Sequence, residues 1–299
     1  MYPFIVVDGS LYLYRAYYAI PIFENFSGDR STHVIYCVLN MLKNLLIRYN
    51  PHYVVVVFDH RGKNFRNRLF TLYKSHRPCM PKDLSSQIDP LRAVIQAMGL
   101  MTLMIADVEA DDTIGTLVSL SRKNHNNVLI STCDKDMAQL VAQDVYLFNI
   151  ISKNILGPKE IFEKFGVPPK LMVDYLALVG DISDNIPGVP GIGKKIARIL
   201  LKNLGNLQCI YKKIEKIRFL NFRGSEHIID KLKKHYRLAW LSYHLAKIKT
   251  NVKINVSYDD LLIKRPHFNI LHMLFKKYNF INWINILKTK RWPWVFYSK

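Results

Sequence analysis

The sequence predicts an α/β fold in which a parallel twisted sheet is followed by a helical unit. Three observations support this prediction. Short runs of apolar residues alternate with segments of helical spacing, acidic residues follow these runs, and only helical patterns continue after about residue 157. With 299 residues, of which 49% are hydrophobic, the chain is long enough for two compact units with a sizeable core.

Four short apolar runs indicate buried strands, and acids follow the end of each one. The runs are residues 4–7, 53–58, 100–105 and 128–131. The first ends at Asp8 and the second at Asp59, whereas the third and fourth lead into the sequences VEADD and CDKD. Parallel strands place their carboxyl ends at one edge of a sheet, which is where α/β folds bind ligands. We therefore expect these acids to gather at one edge.

Helices are predicted between the strands and throughout the C-terminal part. Residues 35–49 follow helical spacing until a proline stops the helix, and a helix over 88–98 ends at Gly99 as a C-cap. Further along, PKEIFEKF, PKLMVDYLALV and KKIARILLKNL are bounded by glycine or proline. The alternation predicts βαβ crossovers within 1–165 and a helical subdomain over 166–299.

The composition indicates a polyanionic partner. Lys and Arg number 43 against 23 Asp and Glu, which gives a net charge of +20, and each neutralised phosphate releases counterions. Nucleic acid is the leading candidate, although a bias toward Lys, Ile and Asn also raises the charge. The four cysteines form no CxxC pair, so neither a zinc site nor a disulfide framework is indicated. No apolar run approaches the roughly 18 residues of a membrane span, and we expect a cytoplasmic protein without membrane association.

Nine carboxylates follow the strands or begin helices, and they form the candidate metal site. They are Asp8, Asp59, Glu109, Asp111, Asp112, Asp134, Asp136, Asp181 and Asp184. Their mutual repulsion requires cations between them, and hard oxygen ligands favour Mg²⁺ or Mn²⁺ over zinc. Glu109 and Asp112 share one helix face, so this segment can serve two ions. Helix capping explains any single acid as well, but it does not explain acids after four successive strands.

A second group of residues is basic and aromatic. The segment RGKNFRNRLFTLYKSHRPCMP interleaves cations with aromatic rings, as single-strand binding grooves do. For Arg66, a solvated helix position and a DNA contact are equally open. We expect Tyr73 to stack on a displaced base, and Lys74 with Arg77 to neutralise charge on a scissile phosphate. Arg15 lies among tyrosines that a core helix explains equally well, but the arginine itself can reach a phosphate.

The segment NIPGVPGIGKK, residues 185–195, has the composition of a hairpin between two helices. Its glycines, Gly188, Gly191 and Gly193, would let backbone N–H groups approach a phosphate at a helix start. Lys194 and Lys195 add positive charge there. An ordinary Gly/Pro turn explains the segment equally well, although the acids of the preceding GDISDN favour a binding role.

Motifs along nearly the whole chain resemble the N-terminal 5′-nuclease domain of bacterial DNA polymerase I, a relative of the flap endonucleases. They are VDGSLYLYRAY, VVFD, YKSHRP, VEADD, ISTCDKD, VGDISDNIPGVPGIG and FKKY. The resemblance implies a PIN-like α/β nuclease core with a basic helical arch at about 60–95. It also implies a helix-hairpin-helix at about 180–205 that grips duplex DNA, often with a bound K⁺. The residues that the resemblance assigns are the nine acids for metal, Arg15, Tyr73, Lys74 and Arg77 for phosphate and substrate, and Gly188, Gly191 and Gly193 for the hairpin.

The implied activity is phosphodiester hydrolysis by two Mg²⁺ ions, for which Mn²⁺ can substitute, on DNA with 5′ ends, flaps or nicks and on RNA–DNA primers. We expect a free-standing monomeric nuclease, since the chain stops at Lys299, and we expect Asp112→Ala to abolish cleavage. Three positions depart from the family pattern: Cys133 replaces a glycine, Lys194 replaces an acid, and Ile196 replaces a threonine. A short paralogous exonuclease of the same superfamily and a non-cleaving protein that binds branched DNA remain alternatives.

Overall fold

The computed structural model of the protein describes residues 4–19, 32–124, 126–220, 222, 224–289 and 292–294. The end of the chain at Lys299 lies outside these residues. Six strands form one sheet: β1 (Phe4–Asp8), β2 (Tyr53–Asp59), β3 (Met101–Ile105), β4 (Val128–Ser131), β5 (Val145–Phe148) and β6 (Ile155–Leu156). Their order is β3-β2-β1-β4-β5-β6, and only β6 pairs in the antiparallel direction. The predicted parallel sheet is therefore confirmed.

β1 is the first strand in the sequence but lies inside the sheet, and the order of the strands reverses there. The chain adds β2 and β3 on one side of β1 and then returns to place β4 and β5 on the other. The carboxyl ends of β1 and β4 consequently flank the topological switch point, where open α/β sheets bind their ligands. Asp8 ends β1 and Thr132 follows β4 at this point.

Seven helices are described in the first part of the chain. They are α1 (Gly9–Tyr18), α2 (His33–Tyr49), α3 (Phe65–Leu69), α4 (Lys82–Ser85), α5 (Ile88–Ala97), α6 (Ala110–Lys123) and α7 (Pro158–Phe165). The basic segment predicted as a helical arch contains the two short helices α3 and α4, with turns between them. Gly99, which follows α5, adopts a φ of +83°, as expected of a glycine that ends a helix.

The remaining helices lie in the second part of the chain. They are α8 (Met172–Val179), α9 (Lys194–Leu204), α10 (Leu207–Lys212), α11 (Ser225–Lys234), α12 (Tyr236–Ala246), α13 (Phe268–Lys277) and α14 (Ile281–Lys288). None of the described helices combines the length and the apolar character needed to cross a bilayer. The predicted change from an α/β pattern to a helical one is confirmed.

The two faces of the sheet have separate cores, because successive side chains of a strand point to opposite faces. Val6 belongs to a cluster with Ile114 of α6 and with buried residues of α8 to α12. Val7 belongs to a second cluster with Leu39 of α2, and α13 and α14 also pack there through Phe275 and Trp283. The C-terminal helices thus cover both faces of the sheet instead of forming one body beside it.

Candidate active site

Asp8 joins β1 to α1 at the switch point. Its Oδ1 accepts a hydrogen bond from the backbone N–H of Leu11 at 2.9 Å, which caps α1, and its Oδ2 accepts one from the hydroxyl of Thr132 at 3.0 Å. Burial raises the pKa of Asp8 to about 7, and repulsion from Asp59 and Asp134 adds to this effect. The carboxyl group therefore lies where a cation would be strongly favoured.

Asp59 connects the end of β2 to the start of α6. Its backbone N–H donates to Ser10 Oγ at 2.8 Å, and its Oδ1 accepts from the backbone N–H of Ala110 at 2.8 Å. These bonds hold together the ends of two segments that carry acids, one from β2 and one from VEADD. At the sheet edge where acids were predicted to gather, the end of β2 therefore contacts the VEADD segment directly.

Three further aspartates act on one another across this edge. Burial, followed by the charge of Asp134, raises the pKa of Asp111 well above its usual value. Burial and the charge of Asp134 also raise the pKa of Asp136 well above its usual value. The charges of Asp184 and Asp181 add to this rise. The carboxylates that follow β1, β3, β4 and α8 are therefore electrostatic neighbours, although they are far apart in sequence.

Three cations lie against these acids. Lys74 Nζ is 2.8 Å from Glu109 Oε1 and 3.4 Å from Asp184 Oδ2, and Arg77 also pairs with Asp184. Burial acts to raise the pKa of Glu109, but the charges of Lys74 and Arg66 outweigh it and the pKa is lowered. The predicted phosphate-binding residues Lys74 and Arg77 therefore lie inside the acidic cluster.

Lys135 is a site residue that the sequence analysis missed. Its Nζ is 2.7 Å from Asp181 Oδ1, so it joins the β4 end to the segment after α8. Burial acts to raise the pKa of Asp181, but the hydrogen bond from Lys135 reverses this and the pKa is lowered. The position of Lys135 between Asp134 and Asp136 in CDKD was the available signal.

Tyr73 does not have the position predicted for it. Its side chain is only 3% exposed, and its hydroxyl donates to Glu109 Oε2 at 3.0 Å and to Asp184 Oδ2 at 3.1 Å. A ring buried in this way has no free face for a displaced base, so the stacking prediction is wrong for this arrangement. Tyr73 instead bridges two of the acids.

Arg66 and Asp112 also depart from their predicted roles, because they bind each other. Arg66 is 2% exposed and Asp112 is fully buried, so Arg66 does not have the solvated position that was one of its two predicted alternatives. Nη1 and Nη2 of Arg66 donate to the two carboxylate oxygens of Asp112 at 2.7 and 2.8 Å. The same oxygens accept backbone N–H groups of Glu109 and Lys249, so Asp112 is fully engaged with protein donors.

Arg15 lies half-buried on α1, near the carboxyl end of β4. Burial raises the pKa of the Cys133 thiol, and the positive charge of Arg15 acts against that rise. Cys133, the departure from the family glycine, contacts Asn149 Oδ1 at 3.6 Å. Arg15 is therefore close to the acidic edge without belonging to the ion pairs described above.

The predicted hairpin has one buried glycine and two exposed ones. Gly188 has a φ of +64°, and its N–H donates to Ser242 Oγ at 3.0 Å, so this N–H is not available to a phosphate. Gly191, with a φ of +82°, and Gly193, which caps α9, are exposed together with Lys194 and Lys195. A Cβ at Gly193 would meet nothing within 4 Å.

The donor chemistry of the cluster fits a divalent cation. Within the cluster, Asp136 Oδ1 and Asp181 Oδ2 are buried carboxylate oxygens without a hydrogen-bond partner, and such atoms are costly unless a cation meets them. Asp144 Oδ1, outside the cluster, is the third such oxygen among the described residues. The candidate ligands are all hard oxygen donors, as Mg²⁺ prefers. Within the described part of the chain, however, no three acidic, histidine or cysteine side chains already surround a common point. Binding would therefore require local rearrangement of the side chains.

Comparison with known proteins gives a consistent result along the chain. Residues 3–166 match the family model of the 5′-3′ exonuclease N-terminal resolvase-like domain, and residues 167–269 match that of the 5′-3′ exonuclease C-terminal SAM fold. A 5′-3′ exonuclease of Buchnera aphidicola subsp. Schizaphis graminum is 44% identical over 93% of this chain and 97% of its own length. DNA polymerase I of Pseudomonas aeruginosa is 44% identical over 95% of this chain, which corresponds to 31% of the polymerase.

A solved structure shares the fold. The bacteriophage T5 D15 flap endonuclease, crystallised as a complex with DNA and metal ions, matches 96% of this chain and 98% of its own with a TM-score of 0.64. The sequence identity is 20%, so this likeness concerns the fold alone.

Proposed function

Since this chain belongs to the 5′-3′ exonuclease family, we propose that it hydrolyses phosphodiesters of DNA at 5′ ends, flaps and nicks with the help of bound divalent cations. The observation that carries the mechanism is the gathering of carboxylates at the switch point of the sheet, where burial and then the charges of neighbouring acids raise their pKa values. RNA–DNA primers are proposed as further substrates, and the monomer as the active form.

The proposed metal ligands come from the ends of several different elements. They are Asp8, Asp59, Glu109, Asp111, Asp134, Asp136, Asp181 and Asp184. We propose two Mg²⁺ ions, for which Mn²⁺ can substitute, because the donors are all oxygens and two carboxylate oxygens are buried without a partner. When bound, such ions activate a water molecule and stabilise the attacking and leaving oxygens of the phosphodiester. Asp112 is not among the proposed ligands, because its oxygens bind Arg66 and two backbone N–H groups.

Lys74 and Arg77 are proposed to bind the scissile phosphate. Both are charged groups paired with acids in the described structure, so they can exchange a carboxylate for a phosphate oxygen when metal ions neutralise the acids. Their positive charge would then offset the charge that develops on the phosphate. Tyr73 would keep Glu109 and Asp184 in place through its hydroxyl, and Arg15 would bind a neighbouring phosphate.

Duplex DNA is proposed to bind at the start of α9. Gly191, Gly193, Lys194 and Lys195 are exposed there, so backbone N–H groups and two ammonium groups can reach one strand. We propose that this segment acts as a helix-hairpin-helix that grips duplex DNA, with a bound K⁺. The net charge of +20 favours association with a polyanion along its length.

The proposal is tested with a 5′-flap oligonucleotide and the variant Asp134→Asn. We expect cleavage by the unchanged protein to require Mg²⁺ or Mn²⁺ and to stop with a chelator. The variant should lose more than about 100-fold in rate, because even partners of metal ligands contribute 10–100-fold. Its affinity for DNA, measured by fluorescence anisotropy with the chelator present, should persist. Asp144→Asn, which alters an aspartate paired with Arg122 away from the site, is the matched control, and equal rates for the two variants would contradict the proposal.

A further inference from the structure

The buried pair of Arg66 and Asp112 connects three distant parts of the chain. We propose that this pair is a positioning device that fixes Glu109 at the metal site by tying α3 and the start of α6 to residues 245–249, so that Asp112 acts through Glu109 and not as a metal ligand. This inference rests on the proposed function, because it assumes that Glu109 binds a metal ion.

Arg66 binds more groups than Asp112 alone. Besides its two bonds to Asp112, Nε donates to the backbone carbonyl of Leu245 at 2.8 Å and Nη2 donates to that of Lys247 at 3.0 Å. These carbonyls lie at the end of α12, where helical partners are lacking. One guanidinium therefore binds both the acid of α6 and the end of α12.

Asp112 completes the connection from the other side. Its Oδ1 accepts the backbone N–H of Lys249 at 2.8 Å, so residues 245–249 are held through carbonyls by Arg66 and through an N–H by Asp112. A Cβ at Gly115, one turn further along α6, would lie 2.6 Å from Ile248 Cγ2 and 2.9 Å from the Lys249 carbonyl oxygen. The segment therefore lies directly on α6, and the close approach depends on a glycine.

Glu109 is the link between this pair and the metal site. Its backbone N–H donates to Asp112 Oδ2 at 3.1 Å, and its Oε2 is 3.4 Å from Arg66 Nη1. Asn64, which caps α3, donates through Nδ2 to Glu109 Oε1 at 3.1 Å. Asp112 thus orients the backbone of Glu109, while Arg66 and Asn64 orient its carboxylate. Such partners of a metal ligand typically change metal affinity when they are altered.

The energetics favour a positional role over a purely stabilising one. Desolvation of a buried ion pair costs about as much as the attraction returns, and replacement of both partners by apolar residues is often neutral for stability. Removal of one partner alone leaves a buried charge without compensation, which is strongly destabilising. The pair is therefore better explained by the geometry that it imposes than by its contribution to stability.

The test compares Arg66→Met, Asp112→Leu and the double variant with the unchanged protein. Mn²⁺ affinity is measured by titration calorimetry, and the Mg²⁺ concentration that half-saturates flap cleavage is measured separately. We expect each single variant to weaken metal binding by about 10–100-fold, with little change in KM for DNA. The double variant should be no worse than either single variant, because both substitutions remove the same device. Thermal unfolding verifies that each protein is folded at the assay temperature.

A different pattern of metal affinities is expected if the inference is wrong. If Asp112 is itself a metal ligand, Arg66→Met frees its carboxylate, and metal affinity should stay the same or rise while Asp112→Leu alone weakens it. That outcome would overturn the inference. Arg66→Lys is used in addition, since lysine is charged but cannot bind both carboxylate oxygens as a planar fork. If the apolar variants fail to fold, Arg66→Lys decides: weaker Mn²⁺ binding supports the inference, and unchanged binding overturns it.

Arg122→Met is the matched control. Arg122 lies near the other end of α6 and pairs with Asp144 at 2.8 Å, but its side chain is 52% exposed. Its replacement should leave metal affinity and cleavage unchanged. Failure of the proposed function would be distinguishable, because the unchanged protein would then not cleave the flap with any divalent cation. Calorimetry would still report whether Arg66 influences the metal site.

Discussion

Lys74 is held by its backbone as well as by its charge. It has a φ of +52°, in the left-handed region, where a residue other than glycine costs about 1–3 kcal/mol. Its N–H donates to the backbone carbonyl of Asp184 at 3.0 Å, and its ammonium lies against Glu109. Burial acts to lower the pKa of Lys74, but the charge of Glu109 raises it well above its usual value. The acids beside Lys74 therefore favour its charged ammonium form.

We expect Lys74→Ala to lower kcat for flap cleavage by about 10²–10³-fold, because one charged donor aimed at a transition state contributes this much. The KM for DNA should change far less. Lys153 offers a matched control, since it is an exposed lysine with a φ of +58° outside the acidic cluster. Steady-state kinetics of both variants check the prediction, and a comparable loss for Lys153→Ala would refute it.

At the scale of single residues, the sequence could predict that acids from several strand ends lie near one another, but not which basic side chains are buried in pairs with them. The acids follow apolar runs that are visible in the sequence. Arg66, by contrast, lies in an ordinary polar stretch, and its partners Leu245 and Lys247 are about 180 residues away. Burial caused by such distant partners leaves no local pattern. Tyr73 was misassigned for the same reason, because its hydroxyl partner Asp184 is 111 residues away.

At the scale of elements, α5 and the segment before α13 are joined at Gly99. The N–H of Lys264 donates to the carbonyl of Gly99 at 2.9 Å, and that of His267 donates to Ala97 at 2.8 Å. A Cβ at Gly99 would lie 2.0 Å from the Lys264 carbonyl oxygen. This contact directs the chain toward the face of the sheet on which α13 and α14 pack.

We expect Gly99→Ala to lower the free energy of unfolding by about 1–3 kcal/mol more than Gly224→Ala does. Both glycines have a φ of +83°, so the backbone penalty is the same. The Cβ at Gly224 would meet nothing within 4 Å, whereas the one at Gly99 would overlap a carbonyl. Urea unfolding of the two variants measures the difference. Equal losses would mean that the Lys264 contact adjusts at no cost.

The elements that were predicted share a clear local signal, and those that were missed do not. β1 and β2 are continuous apolar runs that end in acids, and α2 has regular helical spacing. β5 has only four residues and β6 only two, and no acid follows them, so these strands were not predicted. A helical C-terminal part was predicted in general, but the position of α13 on the opposite face of the sheet depends on contacts such as that at Gly99.

At the scale of the whole molecule, a chain of net charge +20 gathers a group of carboxylates at one edge of its sheet. The positive charge favours approach of DNA, while the acids repel phosphates until cations neutralise them. Metal binding should therefore stabilise the folded protein as well as activate it, since ions that bind only the folded state shift the unfolding equilibrium.

We expect Mg²⁺ to raise the Tm more at about pH 8 than at about pH 5. The pKa of Asp8 is raised from 3.8 to about 7, so the folded state holds more protons than the unfolded state between these values. Without metal, stability contributed by this group falls as the pH rises through that window. Glu109 and Asp181 have lowered pKa values and affect stability only at more acidic pH. Thermal unfolding with Mg²⁺, against KCl of equal ionic strength, provides the measurement, and a larger shift at the lower pH would contradict it.

The central place of β1 in the sheet has a consequence for synthesis on the ribosome. β1 pairs with β2 on one side and with β4 on the other, and Asp8 reaches its partner Thr132 only across 124 positions of sequence. Contacts of such long range form late in folding. While β4 is still inside the ribosome, the nascent chain consequently has an incomplete metal site. Its capacity to cut nucleic acid arises only after most of the sheet has been translated.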